Sequence, residues 1–212
     1  MSAISTPGQK PGMRERVQGL VQDTQNAICS ALETIDGHSF REDRWTRDEG
    51  GGGITRILQM GNVFEKAGVN YSAVHGKLSE NAYKALALGP LNENTDRNFF
   101  ATGVSLVIHP HNPMVPTVHA NYRYFELGDA EHPTSWWFGG GSDLTPAYLF
   151  EEDVKHFHRT LKSSCDRFNP DYYPRFKTWC DQYFYLPHRG ESRGGWCRWA
   201  IVSSRGSAAA WR

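Results

Sequence analysis

The stretch SLVIHPHNPMVPTVHANYRYFE, residues Ser105–Glu126, decides the fold of this 212-residue chain. β-Branched and aromatic residues are frequent at both of its ends, and these residue types favour strands. Three prolines lie between the two ends, and proline both fixes φ and lacks the N–H that a strand interior needs. The pattern predicts two strands, Phe100–His109 and Val118–Phe125, joined by a rigid connection and most simply paired antiparallel.

Alternation along these two strands divides their side chains between two faces of the sheet. Val118, Ala120, Tyr122 and Tyr124 share one face. The other face gathers a hydroxyl, two imidazoles, an amide and a guanidinium, which belong to Ser105, His109, His119, Asn121 and Arg123. An unpaired polar group in a core costs roughly 1–3 kcal/mol, so this face is unsuited to an ordinary core. It suits a large, anionic, hydrogen-bonding ligand, although an antiparallel sheet can also carry a simply solvated face.

Working outward, the periodicity of apolar residues predicts helices at both ends of the chain and strands between them. The predicted helices are Met13–Ile35, a helix that starts at Thr145-Pro146 and continues to about Phe168, and one at about Pro174–Tyr185. The further strands are Ile54–Gln59, Val69–Val74 and Trp136–Phe138, and Asn81–Gly89 is either a short helix or part of a loop. The order predicts an α+β fold with an antiparallel sheet.

Composition excludes several classes of function. The 23 basic residues balance 23 acidic residues, so the chain has neither the basic patch of a nucleic-acid-binding protein nor a polybasic membrane anchor. It contains no apolar run of membrane-spanning length. Residues 1–12 lack the apolar core of a secretory signal and are expected to be a disordered lead-in. Four cysteines without CxxC spacing favour a reducing compartment, which makes the cytoplasm the expected location.

Two further groups of residues are candidates for chemistry. Asp143 follows three glycines in FGGGSDLTP, where a carboxylate could act as base or anchor, and a flexible turn is the alternative. Four histidines could meet as a divalent-metal site, as in a histidine-metal hydrolase. These are His109, His119, His158 and His188, and their irregular spacing does not require them to meet.

Four motifs in this order resemble the oxygen-dependent coproporphyrinogen III oxidase family. They are AGVNYSAVHG, GVSLVIHPHNPMVPTVHANYRYFE, WWFGGGSDLTPAY and YPRFKTWCDQYFYLPHR, and the similarity extends from the first helix to about Gly194. The resemblance implies a large flat antiparallel sheet flanked by helices, in a homodimer. It also implies aerobic oxidative decarboxylation of coproporphyrinogen III to protoporphyrinogen IX in haem biosynthesis. The resemblance further implies that dioxygen is the co-substrate, that carbon dioxide and hydrogen peroxide are released, and that no organic cofactor takes part.

The resemblance assigns roles to individual residues. His119 matches the proposed proton donor of the family, and Asp143 matches a carboxylate that binds the pyrrole N–H groups. Ser105 and the triplet Asn121-Tyr122-Arg123 match positions that contact the substrate. His109, His119, His158 and His188 match positions assigned to a divalent metal in bacterial members, whereas eukaryotic relatives are thought to work without metal.

The chain departs from the family pattern after about Gly194, where the family continues with further helices and strands. Residues 195–212 contain no acidic residue and no periodic pattern; their sequence is GWCRWAIVSSRGSAAAWR. This change is typical of a frameshift, an alternative splice or a misplaced gene boundary, and a divergent natural tail is the alternative. We therefore predict an incomplete oxidase-like domain at 13–194, followed by an atypical tail.

An incomplete domain leads us to expect that the 212-residue product has little or no activity. A non-catalytic porphyrin-binding or dimer-poisoning fragment is the alternative function. The expected location is cytoplasmic, or the mitochondrial intermembrane space if a leader is missing.

Overall fold

The structure is a computed structural model that describes residues 12–86, 88, 90–130, 133–183, 185–188, 191–192 and 198–203. Its helices are α1 (Met13–Asp36), α2 (Glu80–Ala85), α3 (Glu151–Asp166) and α4 (Tyr172–Tyr183). Its strands are β1 (Arg41–Thr46), β2 (Gly51–Gln59), β3 (Phe64–Lys77), β4 (Asn98–Pro110), β5 (Thr117–Gly128), β6 (Pro133–Thr145), β7 (Tyr185–Leu186), β8 (Glu191–Ser192) and β9 (Arg198–Ser203). No described helix has the length and apolar character needed to cross a bilayer.

One antiparallel sheet dominates the fold, with strand order β1-β2-β3-β4-β5-β6-β9, and β7 and β8 form a separate pair. This confirms the predicted α+β class with an antiparallel sheet. The strand β9 lies in the segment predicted to be an atypical tail, and its backbone pairs with β6 from Phe138 to Asp143.

Several local predictions differ from the structure, as at β3, which spans Phe64–Lys77 and extends beyond the predicted Val69–Val74. The strand β1 was not predicted, because its sequence REDRWT carries four charged residues and little apolar alternation. The strand predicted at Trp136–Phe138 continues through the glycines to Thr145. The helix start predicted at Thr145-Pro146 is wrong, because the Thr145 hydroxyl donates to Asp143 within the strand and α3 begins only at Glu151.

The helix α1 covers one face of the sheet. Apolar residues recur on one side of α1, and they pack against β2, β3, β4 and β5 in a single buried cluster. The cluster includes Val17, Val21, Cys29 and Leu32 of the helix and Ile54, Leu58, Val69, Val104, Leu106 and Tyr124 of the strands. Gly37 ends α1 in the left-handed region at φ 84°, a conformation that glycine adopts without steric cost. This helix-covered face fixes the orientation of every strand, so the alternate side chains project from the opposite face.

Two buried carboxylates connect α1 to the sheet. Asp36 accepts hydrogen bonds from the backbone N–H groups of Asn62, Val63 and Phe64 in the β2–β3 turn. Near the other end of α1, Arg14 donates from Nε to Glu126 of β5 at 2.6 Å. Both contacts orient α1 across the strands that carry the candidate site.

A smaller cluster joins the last two helices. Cys165 of α3 and Phe176 of α4 are buried, with Leu161, Tyr172 and Tyr173 packed around them. Burial raises the pKa of the Cys165 thiol, so this cysteine is a packing residue rather than a reactive nucleophile.

Candidate active site

Cross-strand register brings the predicted polar residues together on the face opposite α1. Ser105 of β4 pairs with Asn121 of β5, and His119 of β5 pairs with Asp143 of β6. Arg123 pairs with Gly103 on one side and with Gly139 on the other. Directly paired residues project from the same side of a sheet, so the three rows form one polar surface. We call this surface the open face.

A direct polar contact on the open face joins His119 and Asp143. The distance from His119 Nδ1 to Asp143 Oδ1 is 2.8 Å, and the Thr145 hydroxyl donates to the same oxygen at 3.0 Å. The side chain of His119 is 37% exposed and that of Asp143 is 16% exposed, so a ligand on the open face can reach the pair. The ring of His109 meets the ring of His119 edge to face, with centroids 5.9 Å apart.

Arg123 presents an exposed cation on the open face. Within the described part of the chain, no carboxylate lies at salt-bridge distance from its guanidinium. Two residues further along β5, Phe125 stacks between two aromatic rings on the same face. Its centroid is 5.7 Å from that of Phe99 and 4.1 Å from that of Trp137. Arg123 therefore lies between an aromatic row and the amide of Asn121, an arrangement that suits an aromatic ligand carrying carboxylates.

Tyr122 lies on the helix-covered face, apart from Asn121 and Arg123. Its hydroxyl forms a 2.5 Å hydrogen bond with the hydroxyl of Ser142, and its ring packs against the main buried cluster. Burial raises the pKa of Tyr122, although the bond to Ser142 opposes that effect. The assignment of Tyr122 as a substrate contact stays a prediction. Its position indicates that the side chain packs β5 against the core and does not reach the open face.

The four histidines proposed as metal ligands do not form one group. His109 and His119 are neighbours, whereas His158 on α3 has its Nδ1 2.7 Å from the hydroxyl of Tyr173. His188 is exposed in the turn after β7. Among the residues that the structure describes, no set of three or more His, Cys, Asp or Glu side chains could hold a metal ion.

Sequence reasoning missed Thr145 and the aromatic row. A Thr-Pro pair resembles a helix start, and that signal hid the alternation of Asp143 and Thr145 along a strand. The aromatic row of Phe99, Phe125 and Trp137 forms only because β4, β5 and β6 pair in one particular register, and the sequence does not specify that register.

The fold and the open face define a class of protein: an α+β protein whose antiparallel sheet presents an acid, an imidazole and a guanidinium on the side opposite α1. The family model described as coproporphyrinogen III oxidase matches residues 16–196. The chain is 56% identical over 191 residues to a protein named oxygen-dependent coproporphyrinogen-III oxidase from Drosophila melanogaster, covering 88% of this chain and 49% of the relative. It is 54% identical to relatives of that name described as chloroplastic in Glycine max and mitochondrial in Homo sapiens, covering 86% and 88% of this chain.

The chain belongs to the coproporphyrinogen III oxidase family. It spans about half the length of the curated relatives it matches, at 49% of the Glycine max protein and 42% of the Homo sapiens protein.

Proposed function

We propose that the open face binds coproporphyrinogen III and supplies residues for its oxygen-dependent decarboxylation to protoporphyrinogen IX, a step of haem biosynthesis. One observation carries the proposal: the sheet register places His119, Asp143, Asn121 and Arg123 on one side of neighbouring strands. The names and identities of the relatives support the same activity.

The chemistry of the substrate matches these groups. A porphyrinogen has four inward N–H donors and four peripheral propionates. Asp143 accepts from the pyrrole N–H groups, and Arg123 holds a propionate through two parallel N–H···O bonds. Ser105 and Asn121 pair in the row between the row of Arg123 and the row of Asp143, and they add neutral hydrogen bonds. Holding the propionate beside the reacting carbon lowers the barrier by several kcal/mol in well-oriented systems.

The reaction balances without an organic cofactor. Asp143 removes a pyrrole proton, and the electron-rich ring then reduces dioxygen to a ring-bound peroxide. The peroxide takes a hydrogen from the propionate β-carbon while the C–C bond to the carboxylate breaks. For each propionate, one vinyl group forms on the ring, and one carbon dioxide and one hydrogen peroxide are released. His119, bonded to Asp143 through Nδ1, is positioned to return the proton.

Assembly and location form part of the same proposal. We propose a homodimer, with no organic cofactor. The metal role of His109, His119, His158 and His188 remains a prediction from the family resemblance. The proposed compartment is the cytoplasm, whereas the names of several relatives describe those proteins as chloroplastic or mitochondrial. Sedimentation of the purified chain and fractionation of the source cells test these two points.

Anaerobic titration of the purified chain with coproporphyrinogen III tests the proposed site. Loss of a charged hydrogen-bond partner costs roughly 1.5–3 kcal/mol, so Arg123→Ala should weaken binding by about tenfold or more. Arg16→Ala removes an exposed arginine from α1, on the other side of the sheet, and should leave the Kd unchanged. Equal affinity of Arg123→Ala and the wild type would refute the role of Arg123.

Turnover with dioxygen is measured separately as carbon dioxide release. If the wild-type chain turns over, Asp143→Ala should nearly abolish carbon dioxide release, while the circular dichroism spectrum of the variant stays that of the wild type. Near-normal release from Asp143→Ala would refute its assignment as the proton acceptor. Tight binding without any release by the wild type would favour the non-catalytic porphyrin-binding alternative.

A further inference from the structure

Among the residues that the structure describes, none requires a glycine at position 139. It lies inside β6, and its φ is not among the positive values found for Gly37, Gly50, Gly51 and Gly128. A Cβ atom built at Gly139 meets no heavy atom within 4 Å. A glycine inside a strand weakens it relative to alanine, because it loses more conformational entropy and packs no side chain. Neither the backbone nor the packing of the described residues compensates for that loss at this position.

Neighbouring glycines differ from Gly139 in this respect. A Cβ at Gly103 would lie 2.6 Å from the carbonyl oxygen of Tyr122, and one at Gly140 would lie 2.4 Å from that of Asn121. Close approach of a neighbouring strand therefore explains Gly103 and Gly140. It does not explain Gly139, where the added atom would project into open space on the open face.

The position of Gly139 beside Arg123 indicates what the open space accommodates. Arg123 pairs with Gly103 and Gly139, so residues without side chains flank Arg123 on both neighbouring strands. Adjacent strands lie about 4.8 Å apart, so a side chain at position 139 would project next to the stem of Arg123. The atoms of such a side chain would occupy the space through which a substrate carboxylate approaches the Arg123 guanidinium from the side of β6.

We infer that Gly139 is a specificity-determining position: its missing side chain leaves room on the β6 side of Arg123 for a carboxylate-bearing ring of the substrate. The inference rests on the proposed function and deepens it. The inference also states that the substrate carboxylate reaches Arg123 from the side of β6. The aromatic rings of Phe125 and Trp137 lie further along the strands on the same face.

Two substitutions separate a role in binding from a role in folding. The full chain carrying Gly139→Leu or Gly139→Ala is titrated anaerobically with coproporphyrinogen III, and the Tm of each variant is measured. We expect Gly139→Ala to keep or raise the Tm and to weaken binding about threefold, and Gly139→Leu to weaken it about tenfold or more. The matched control is Gly19→Leu in α1, because a Cβ at Gly19 also meets nothing within 4 Å. That control should leave the Kd unchanged.

The outcomes distinguish this inference from the proposed function. Failure of the wild-type chain to bind coproporphyrinogen III would refute the proposed function itself. Wild-type binding with an unchanged Kd in Gly139→Leu would overturn only the inference about Gly139. A clear drop in the Tm of Gly139→Ala would show that the glycine serves the fold, and would overturn the inference as well. If Gly139→Leu does not fold, the Kd of Gly139→Ala tests the inference instead, and an unchanged Kd in that variant would overturn it.

Discussion

Replacing Asp36 with asparagine tests how the C-terminal end of α1 is held to the sheet. The Asp36 side chain is fully buried. Its Oδ2 accepts from the backbone N–H groups of Val63 and Phe64 at 3.0 and 2.9 Å, and its Oδ1 accepts from that of Asn62 at 3.1 Å. The Nδ1 of His38 lies 2.9 Å from Oδ1. Asparagine has nearly the same shape but turns one of the two accepting oxygens into a donor.

The expected loss of stability follows from these contacts. Either orientation of the asparagine amide places its NH2 group against at least one backbone N–H. Hydrogen bonds to a charged acceptor contribute about 1.5–3 kcal/mol, and exposure of Asn62 and Val63 lets water replace part of the loss. We therefore expect Asp36→Asn to lower the free energy of unfolding by about 2–4 kcal/mol.

The pH dependence gives a second, independent readout. Burial by itself raises the pKa of Asp36, but the three backbone donors and His38 outweigh burial and lower it to about 2 from the ordinary 3.8. The carboxylate therefore stabilises the fold fully above pH 3.8, and this contribution is lost as the pH falls through 2. The variant lacks this titration, so the difference in stability between the two proteins should shrink as the pH falls from 5 toward 2.

Urea unfolding followed by circular dichroism at several pH values measures both effects. Asp23→Asn is the matched control, because Asp23 lies on the same helix with an exposed side chain. It should change the free energy of unfolding by less than about 0.5 kcal/mol. An Asp36→Asn protein as stable as the wild type at pH 7, or a stability difference that does not change with pH, would refute the account of this contact.

Three further predictions concern the sheet and the site. Glu126→Gln should lower the free energy of unfolding by about 2 kcal/mol in urea titrations, because buried Glu126 accepts from both Arg14 and the hydroxyl of Tyr124; an unchanged midpoint would contradict it. Gly103→Ala should lower the free energy of unfolding by about 1–3 kcal/mol, since its Cβ would clash with the carbonyl oxygen of Tyr122. Wild-type stability of this variant would show that the backbone moves to relieve the clash at no cost. Dialysis against EDTA should leave the Kd for coproporphyrinogen III unchanged, because the proposed contacts of Arg123 and Asp143 with the substrate are direct; a large loss restored by a divalent cation would argue for a metal site.

The strands at the centre of the fold were predictable from local pattern. Alternation identified β4 and β5, and a 3.6-residue period identified α1, because each element has one apolar side that the core must bury. The pattern failed at β1 and along the glycines of β6. There the strands are held by pairing with their neighbours rather than by apolar side chains of their own.

The candidate site was predictable only in part, for a related reason. Alternation within β5 correctly placed His119, Asn121 and Arg123 on one face, since period two is a local property. The contact of Asp143 with His119 and the open space at Gly139 depend on the register of β6. Register is a non-local property that the hydrophobic pattern of a glycine-rich strand specifies weakly.

A crystal structure of the chain soaked anaerobically with coproporphyrinogen III tests the central claim most directly. Our account predicts the macrocycle on the open face, with a propionate on the Arg123 guanidinium and pyrrole N–H groups directed at the Asp143 carboxylate. Ligand density on the helix-covered face, or on the open face without contact to either residue, would contradict it.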